Sequence, residues 1–273
     1  MLTDHFFQQP KHPDVFAATI GVSRQGWISA RATAKRAEAS LLMQQNRFDI
    51  LPVTENDESI QRYYHTRIWG DYEKIDRSKI TQDDSIYYLT HIRDVIRLMA
   101  RHEKWFYFLN NESRVLGLIT IGNLNARSVY LYLYHNLLLL ETELGKWVQL
   151  YLKDEPVFSV LESLSVGANE HGGLLQYRED KENGLDNDIL EYLFLGDLFE
   201  IVRRKGLFEY LGYTSSERFD QHLSKLRQMR NTVAHPNRSL VHDANTLQEL
   251  WLSITKLEEL FDRIGSANNA KIN

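Results

Sequence analysis

The spacing of apolar residues changes character near the middle of this chain. Up to about Asn125, short strand-like runs alternate with stretches of helical period. The segment Thr33 to Gln45 has helical spacing, with Ala37, Leu41 and Leu42 on one face and Thr33 as its candidate cap. Asp49-Ile-Leu-Pro-Val-Thr then reads as a buried strand. Glu55-Asn-Asp-Glu-Ser reads as a hydrophilic turn, and Ile60-Gln-Arg-Tyr-Tyr as a second strand. The same order follows again. Ile80 to Ser85 leads into a helix striped by Ile92, Val95, Ile96 and Met99. Next come the strand Trp105-Phe-Tyr-Phe-Leu, the turn Asn110-Asn-Glu-Ser and the strand Val115-Leu-Gly-Leu-Ile-Thr-Ile. Two copies of helix, strand, turn, strand, about 60 residues apart, indicate an internal duplication.

Beyond Asn125 only the helical period remains. It predicts helices over about 126–153, 156–165, 188–211, 215–235 and 243–264. The last carries Leu247, Leu250, Trp251, Ile254, Leu257, Leu260, Phe261 and Ile264 on one stripe, with Asp243 or Asn245 as its cap. Pro156 stands where a helix can begin, and Gly212 follows one that ends. Residues 167–187, rich in Gly, Asn and charge, read as a long loop. The expected architecture is therefore a mixed α/β domain over residues 1–125 and an all-helical bundle over 126–273. Val129 to Leu140 is densely apolar, but His135 and Asn136 interrupt it and Glu141 and Glu143 close it. It falls short of the ~18 apolar residues of a membrane span and reads as a largely buried bundle helix.

Composition narrows the chemistry. The 273 residues are 43% hydrophobic and 25% charged, an ordinary globular balance. A net charge of −5 excludes a protein that coats nucleic acid indiscriminately, so any nucleic-acid contact must be a local basic patch. The absence of cysteine excludes disulfides, thiolate metal sites and cysteine nucleophiles. The N-terminal stretch lacks a basic segment followed by an apolar run, so a cytoplasmic protein, with no membrane partner, is the expectation.

One segment does supply such a patch. Arg218, Lys225, Arg227, Arg230 and Arg238 face a single acid, Asp220, between positions 218 and 238. Within it lies Arg230-Asn231-Thr232-Val233-Ala234-His235-Pro236. An arginine fork grips phosphate oxygens and stays charged, and a histidine exchanges protons near neutrality. On a helix, Phe219, Leu223, Leu226 and Val233 form the buried stripe, with Met229 or Arg230 at its edge. Arg227, Asn231 and His235 form one polar row. Pro236 ends the helix, and Asn231 stands where it can orient His235. These residues suit attack of a ribose 2′-hydroxyl on its phosphate, with His235 as general base or acid and Arg230 stabilising the developing charge. Lys225, Arg227 and Arg238 would bind RNA alongside.

Two families resemble the two halves. Residues 15–125 resemble a pair of CBS domains. The second copy carries Gly117-Leu-Ile-Thr-Ile-Gly-Asn123, and the first has Asn46-Arg-Phe-Asp-Ile-Leu-Pro-Val. The resemblance implies a regulatory adenosine nucleotide (AMP, ADP or ATP), with Thr120 near phosphate and Asn123 at the ribose. Asp49 and Phe106 join them as candidate binding residues. Asn123 stands where the family has Asp, and the first copy lacks the Thr-to-Asp spacing after Val53. One nucleotide site is therefore expected, unless the pair serves only as a dimerisation scaffold. Trp105, Phe106 and Tyr107 suit adenine stacking and core packing equally.

Residues 126–265 resemble HEPN domains, many of which are metal-independent ribonucleases carrying Arg, four to six residues, then His. Arg230, Asn231 and His235 match that motif. The resemblance implies an endoribonuclease yielding 2′,3′-cyclic phosphate ends. It also implies a homodimer in which two chains compose one active site. The alternative is a non-catalytic adaptor that responds to nucleotide and binds RNA or protein. Other catalytic patterns are weak: the ten histidines form no HExxH, His5 and His12 fall in an irregular stretch, Asp83-Asp84 reads as a turn, and no P-loop occurs.

Overall fold

The computed structural model describes residues 14–68, 70–112, 114–152, 159, 162, 172–185 and 187–272. The helix expected over 156–165, with Pro156, and the histidines at 5 and 12 lie outside the described residues or nearly so. The chain forms two compact units. One comprises Asp14–Val129 with Val241–Leu247, and the other includes Tyr130–Leu240 and Gln248 onward.

The first unit holds two four-stranded sheets of matching design. Its elements are α1 (Ala17–Ile20), β1 (Val22–Ser23), β2 (Ala30–Arg31), α2 (Arg36–Asn46), β3 (Ile50–Thr54), β4 (Ile60–Thr66) and β5 (Ile75–Lys79). There follow β6 (Ser85–Tyr87), α3 (Ile92–His102), β7 (Phe106–Asn111) and β8 (Arg114–Thr120). One sheet has the order β2-β3-β4-β5, the other β1-β8-β7-β6. In each, a parallel pair flanks a helix: β2 with β3 around α2, and β6 with β7 around α3. An antiparallel hairpin follows each pair. The fourth strand differs. β5 follows its own repeat and pairs with β4, whereas β1 precedes both repeats and pairs with β8 of the second.

The duplication extends to single backbone angles. Helices α2 and α3 begin 56 residues apart, at Arg36 and Ile92. Each ends on a left-handed residue, Arg47 (φ 56°) and Glu103 (φ 52°), also 56 apart. The two hairpin turns use left-handed Glu58 (φ 62°) and Glu112 (φ 54°). Left-handed backbone is unusual for glutamate and arginine, so this pairing is a specific signature of repetition. It accounts for every non-glycine positive φ among the described residues.

The two helices differ in quality. In α3, Ile92, Val95, Ile96 and Met99 are fully buried, as their spacing predicts. His91 Nδ1 accepts from Arg93 N at 3.2 Å, closing its first turn. In α2 the buried residues are Ala39 and Met43, while Ala37 and Leu41 are exposed. That helix starts at Arg36, with the Lys35 N–H donating to Glu38 at 3.2 Å, so Thr33 is not its cap. Between the sheets, Ile50, Tyr63, Phe106, Phe108 and Leu118 form an aromatic-rich core. Three of the rings meet edge to face at 5.3–5.7 Å between centroids.

The second unit is helical: α4 (Arg127–Leu152), α5 (Gly172–Glu182), α6 (Leu195–Arg204), α7 (Ser216–Ala234) and α8 (Ala244–Ile272). The α5 helix replaces part of the loop expected over 167–187. Its Leu174 is buried, Tyr177 packs edge to face on Tyr192 at 5.5 Å, and left-handed Gly184 follows its end. The helix expected over 188–211 is divided. A 3-10 turn, Ile189–Tyr192, precedes α6, and left-handed Gly206 separates α6 from another turn, Leu207–Glu209. Asp243 is the cap of α8, its Oδ1 accepting from Thr246 N at 2.8 Å. Among the described residues no helix is long and apolar enough to cross a membrane. In α4, Val129, Leu133, Leu137 and Leu140 are buried, while Leu131, Tyr134 and Leu138 are exposed.

Candidate functional site

Helix α7 carries the arginine-to-histidine segment. Ser215 caps it, its hydroxyl accepting from Arg218 N at 3.4 Å. Phe219, His222, Leu223, Leu226, Met229 and Val233 are buried along one side. Their burial orients the opposite side, where Arg227, Arg230, Asn231 and His235 are exposed. The helix stops at Ala234. His235 has left helical geometry (φ −120°, ψ 74°), as the following proline requires.

The basic groups differ in their commitments. Lys225 is half-buried and lies 3.7 Å from Glu249. Arg227 sits over the Phe199 ring at 5.9 Å. Arg230 has no ion pair among the described residues; its Nη1 donates to Asn231 Oδ1 at 3.5 Å. Asn231 therefore leans on Arg230, and no hydrogen bond to His235 accompanies it. The orienting role expected of Asn231 is not made in this arrangement. Arg238 lies exposed in the loop after the helix, its carbonyl accepting from Tyr130 Oη.

Glu141 of α4 joins this group and was not singled out by its spacing. Its Oε2 accepts from Leu195 N, at the start of α6, at 2.6 Å. Burial pushes its carboxyl above the usual range, against the pull of that bond and of the Arg230 charge. The side chain thus contributes a partly buried acid within electrostatic reach of Arg230. A different burial effect isolates His222. Its Nε2–H donates to the Lys256 carbonyl at 2.7 Å, and burial holds it below the usual histidine range. His222 is part of the core.

In the first unit the candidate nucleotide residues split into two sets. Phe106 and Thr120 are cross-strand partners in β7 and β8. Asn123 Oδ1 accepts from Thr120 N (2.8 Å) and Thr120 Oγ1 (3.0 Å), closing the short turn Ile121–Asn125. The position's carbonyl oxygen is thus committed to the turn. Asp49 belongs to the other sheet's repeat, where its Oδ1 accepts from Thr66 Oγ1 (2.9 Å) and Gly70 N (2.8 Å). Phe106 is buried in the aromatic core between Tyr63 and Phe108.

Matching the repeats residue by residue explains their difference. With Ile50 set against Phe106, the pairing registers match His65 to Thr120, Tyr63 to Leu118 and Arg62 to Gly117. Gly117 is needed because a Cβ there would stand 2.6 Å from the Val22 carbonyl oxygen of β1. Tyr63, like its counterpart Leu118, packs into the shared core, and burial, with the nearby Asp84 charge, pushes its phenol up to about 12. Asp84 accepts from Lys104 Nζ at 2.8 Å and from Thr81 N and Oγ1. Burial works against that charge, but those donors prevail and hold the carboxyl below its usual range. An open groove of about 590 Å³ lies nearby, lined by Gln61, Arg62, Lys79, Ile80, Asn110 and Val115 among others; it includes none of Asp49, Phe106, Thr120 and Asn123. No cluster of metal-ligating side chains occurs among the described residues.

No family model matches the chain, and no curated protein does. Solved structures do. A hemolysin-like protein containing a CBS domain, from Oenococcus oeni PSU, is 20% identical over 44% of this chain and 90% of its own, with a TM-score of 0.32. An uncharacterised conserved protein from Pyrococcus horikoshii is 17% identical over 41% and 89%, at 0.33. A hexameric CBS-CP12 protein from bloom-forming cyanobacteria is 17% identical over 41% and 71%, at 0.31. Two of the three are described as CBS proteins, and each match covers about two fifths of this chain. Two sheets of like order and the paired left-handed residues mark the α/β unit as duplicated.

Proposed function

We propose that the chain is a metal-independent endoribonuclease of HEPN type under the control of an adenosine nucleotide. The observation that carries the first part is α7: a buried apolar side fixes the helix, and the other side presents Arg227, Arg230 and Asn231, with His235 at its end. Arg230, without an ion-pair partner among the described residues, suits a phosphate oxygen. In the proposed reaction the ribose 2′-oxygen bonds to phosphorus as its proton passes to one histidine. The bond to the 5′-oxygen breaks, and that oxygen takes a proton from a second histidine. The products are a 2′,3′-cyclic phosphate and a 5′-hydroxyl. Each chain offers one His235, so two chains would compose the site. Lys225 and Arg238 would hold flanking phosphates.

The second part is carried by the duplicated unit, whose Thr120 and Asn123 share one turn. Their mutual bonding leaves the Asn123 amide nitrogen as the group offered to a sugar hydroxyl.

The test is RNA incubation in EDTA with the native chain, Arg230→Ala and His235→Ala. Cleavage that either substitution reduces at least 100-fold supports the assignment. Intact RNA with native protein, with or without AMP, ADP or ATP, leaves the adaptor as the reading.

A further inference from the structure

Within the duplicated unit, Asn125 holds Val241, six residues after His235, through both of its backbone groups. Asn125 Nδ2 donates to the Val241 carbonyl at 2.7 Å, and Val241 N donates to Asn125 Oδ1 at 3.1 Å. The same Nδ2 lies 3.4 Å from the carbonyl of Gly122, within the turn that carries Asn123. One amide therefore meets both backbone groups of a residue 116 positions away, as a neighbouring strand would. Asparagine is specific for this. Aspartate lacks the donor, and glutamine carries an extra methylene. Val241 is almost fully buried, so neither of its backbone groups has water as a substitute.

Val241 opens the stretch Val241–Leu247, which belongs to the duplicated unit, and His235 lies six residues upstream. Extended chain of that length spans at most ~20 Å. Two further bonds shorten the free path: Arg238 N donates to the His235 carbonyl at 2.9 Å, and the Arg238 carbonyl accepts from Tyr130 Oη. Tyr130 follows Asn125 by five residues. The loop bearing His235 is thus held at Arg238 and Val241, both times by residues just after the Thr120–Asn123 turn.

We propose that Asn125 is a positioning residue that couples occupancy of the Thr120–Asn123 turn to the placement of His235. The inference rests on the nuclease and nucleotide readings above and adds the route between them. A ligand that shifts the turn moves the Gly122 carbonyl and the Asn125 amide together, and Val241 follows.

The test measures hydrogen exchange of peptides covering 236–242, with and without AMP or ATP, in native protein, Asn125→Ala and Asn125→Asp. Far-ultraviolet circular dichroism verifies folding. RNA cleavage in EDTA and nucleotide Kd are measured on the same samples. Losing both bonds is expected to speed Val241 exchange about tenfold without ligand. In native protein, nucleotide should alter exchange over 236–242 and change the cleavage rate. In both variants the two responses should vanish, with Kd within about twofold of native. Native exchange that ignores nucleotide overturns the proposal, as do variants that keep the nucleotide response. An exchange response lost only in the variants, with RNA intact throughout, supports the clasp and sinks the nuclease reading alone.

Discussion

Gly117→Ala tests whether β1 truly completes the second repeat. Gly117 pairs with Ser23, and Val22 pairs with Leu118. A Cβ at 117 would stand 2.6 Å from the Val22 carbonyl oxygen and 3.4 Å from Ser23 Cα. The obstacle is backbone on β1, itself held by the Arg24 N–H donating to Leu116 O at 2.7 Å. To reach ordinary contact, β1 must withdraw by about 0.8 Å, which strains or breaks its few ladder bonds. Overpacking of this kind costs about 1–3 kcal/mol. The stiffer unfolded chain returns about 0.4–1 kcal/mol. A net loss of about 1–2 kcal/mol follows. With a urea slope of ~2 kcal/mol/M, the midpoint should fall by roughly 0.5–1 M. Gly122→Ala is the matched control, since its Cβ meets only Thr120 Oγ1, at 3.5 Å. Urea unfolding followed by tryptophan fluorescence reads both. If Gly117→Ala unfolds at the native midpoint, or no earlier than Gly122→Ala, β1 does not pack against β8 as described.

Other expectations concern single groups. His222 is neutral and buried with its pKa lowered, so the unfolded chain binds its proton first. Stability should be full above the ordinary value of 6.5 and decline as pH falls below it, and His222→Gln should flatten that decline in thermal melts between pH 5 and 7. Tyr213 Oη is buried without a hydrogen-bond partner among the described residues. Tyr213→Phe should therefore raise stability by about 1 kcal/mol in urea unfolding, and a loss would show that the hydroxyl is satisfied. Lys104→Met leaves the Asp84 carboxylate without its cation and should cost about 1–3 kcal/mol, a loss that Lys104→Arg should largely avoid.

How much of this was legible depended on the range of the signal. Helix α3 announces itself through four buried residues at helical spacing, and the inner side of α7 does the same. In α2, Leu41 mimics a core position yet is exposed, because Ala39 and Met43 do the packing. Strand β5, Ile75-Asp-Arg-Ser-Lys, contains one apolar residue and is held by pairing with β4, which no local pattern reveals. Helix α5 opens on Gly172-Gly173, which lowers its intrinsic helix preference. At the candidate site, the motif and its exposure follow from local spacing. The Arg230–Asn231 contact, the nearness of Glu141 and the Asn125 clasp do not, since they join residues that meet only once the chain is folded.

The position of β1 also sets the order in which the nascent chain can be completed. Val22 cannot find Leu118 until 96 further residues have been made. At synthesis rates of 5–20 residues per second, that is a wait of about 5–20 s. During it the first repeat can assemble from consecutive strands, while β8, once made, completes its sheet only by recapturing a strand from near the beginning. A ribosome pausing before residue 114 would thus hold one finished sheet, with β1 still lacking the strand it pairs with.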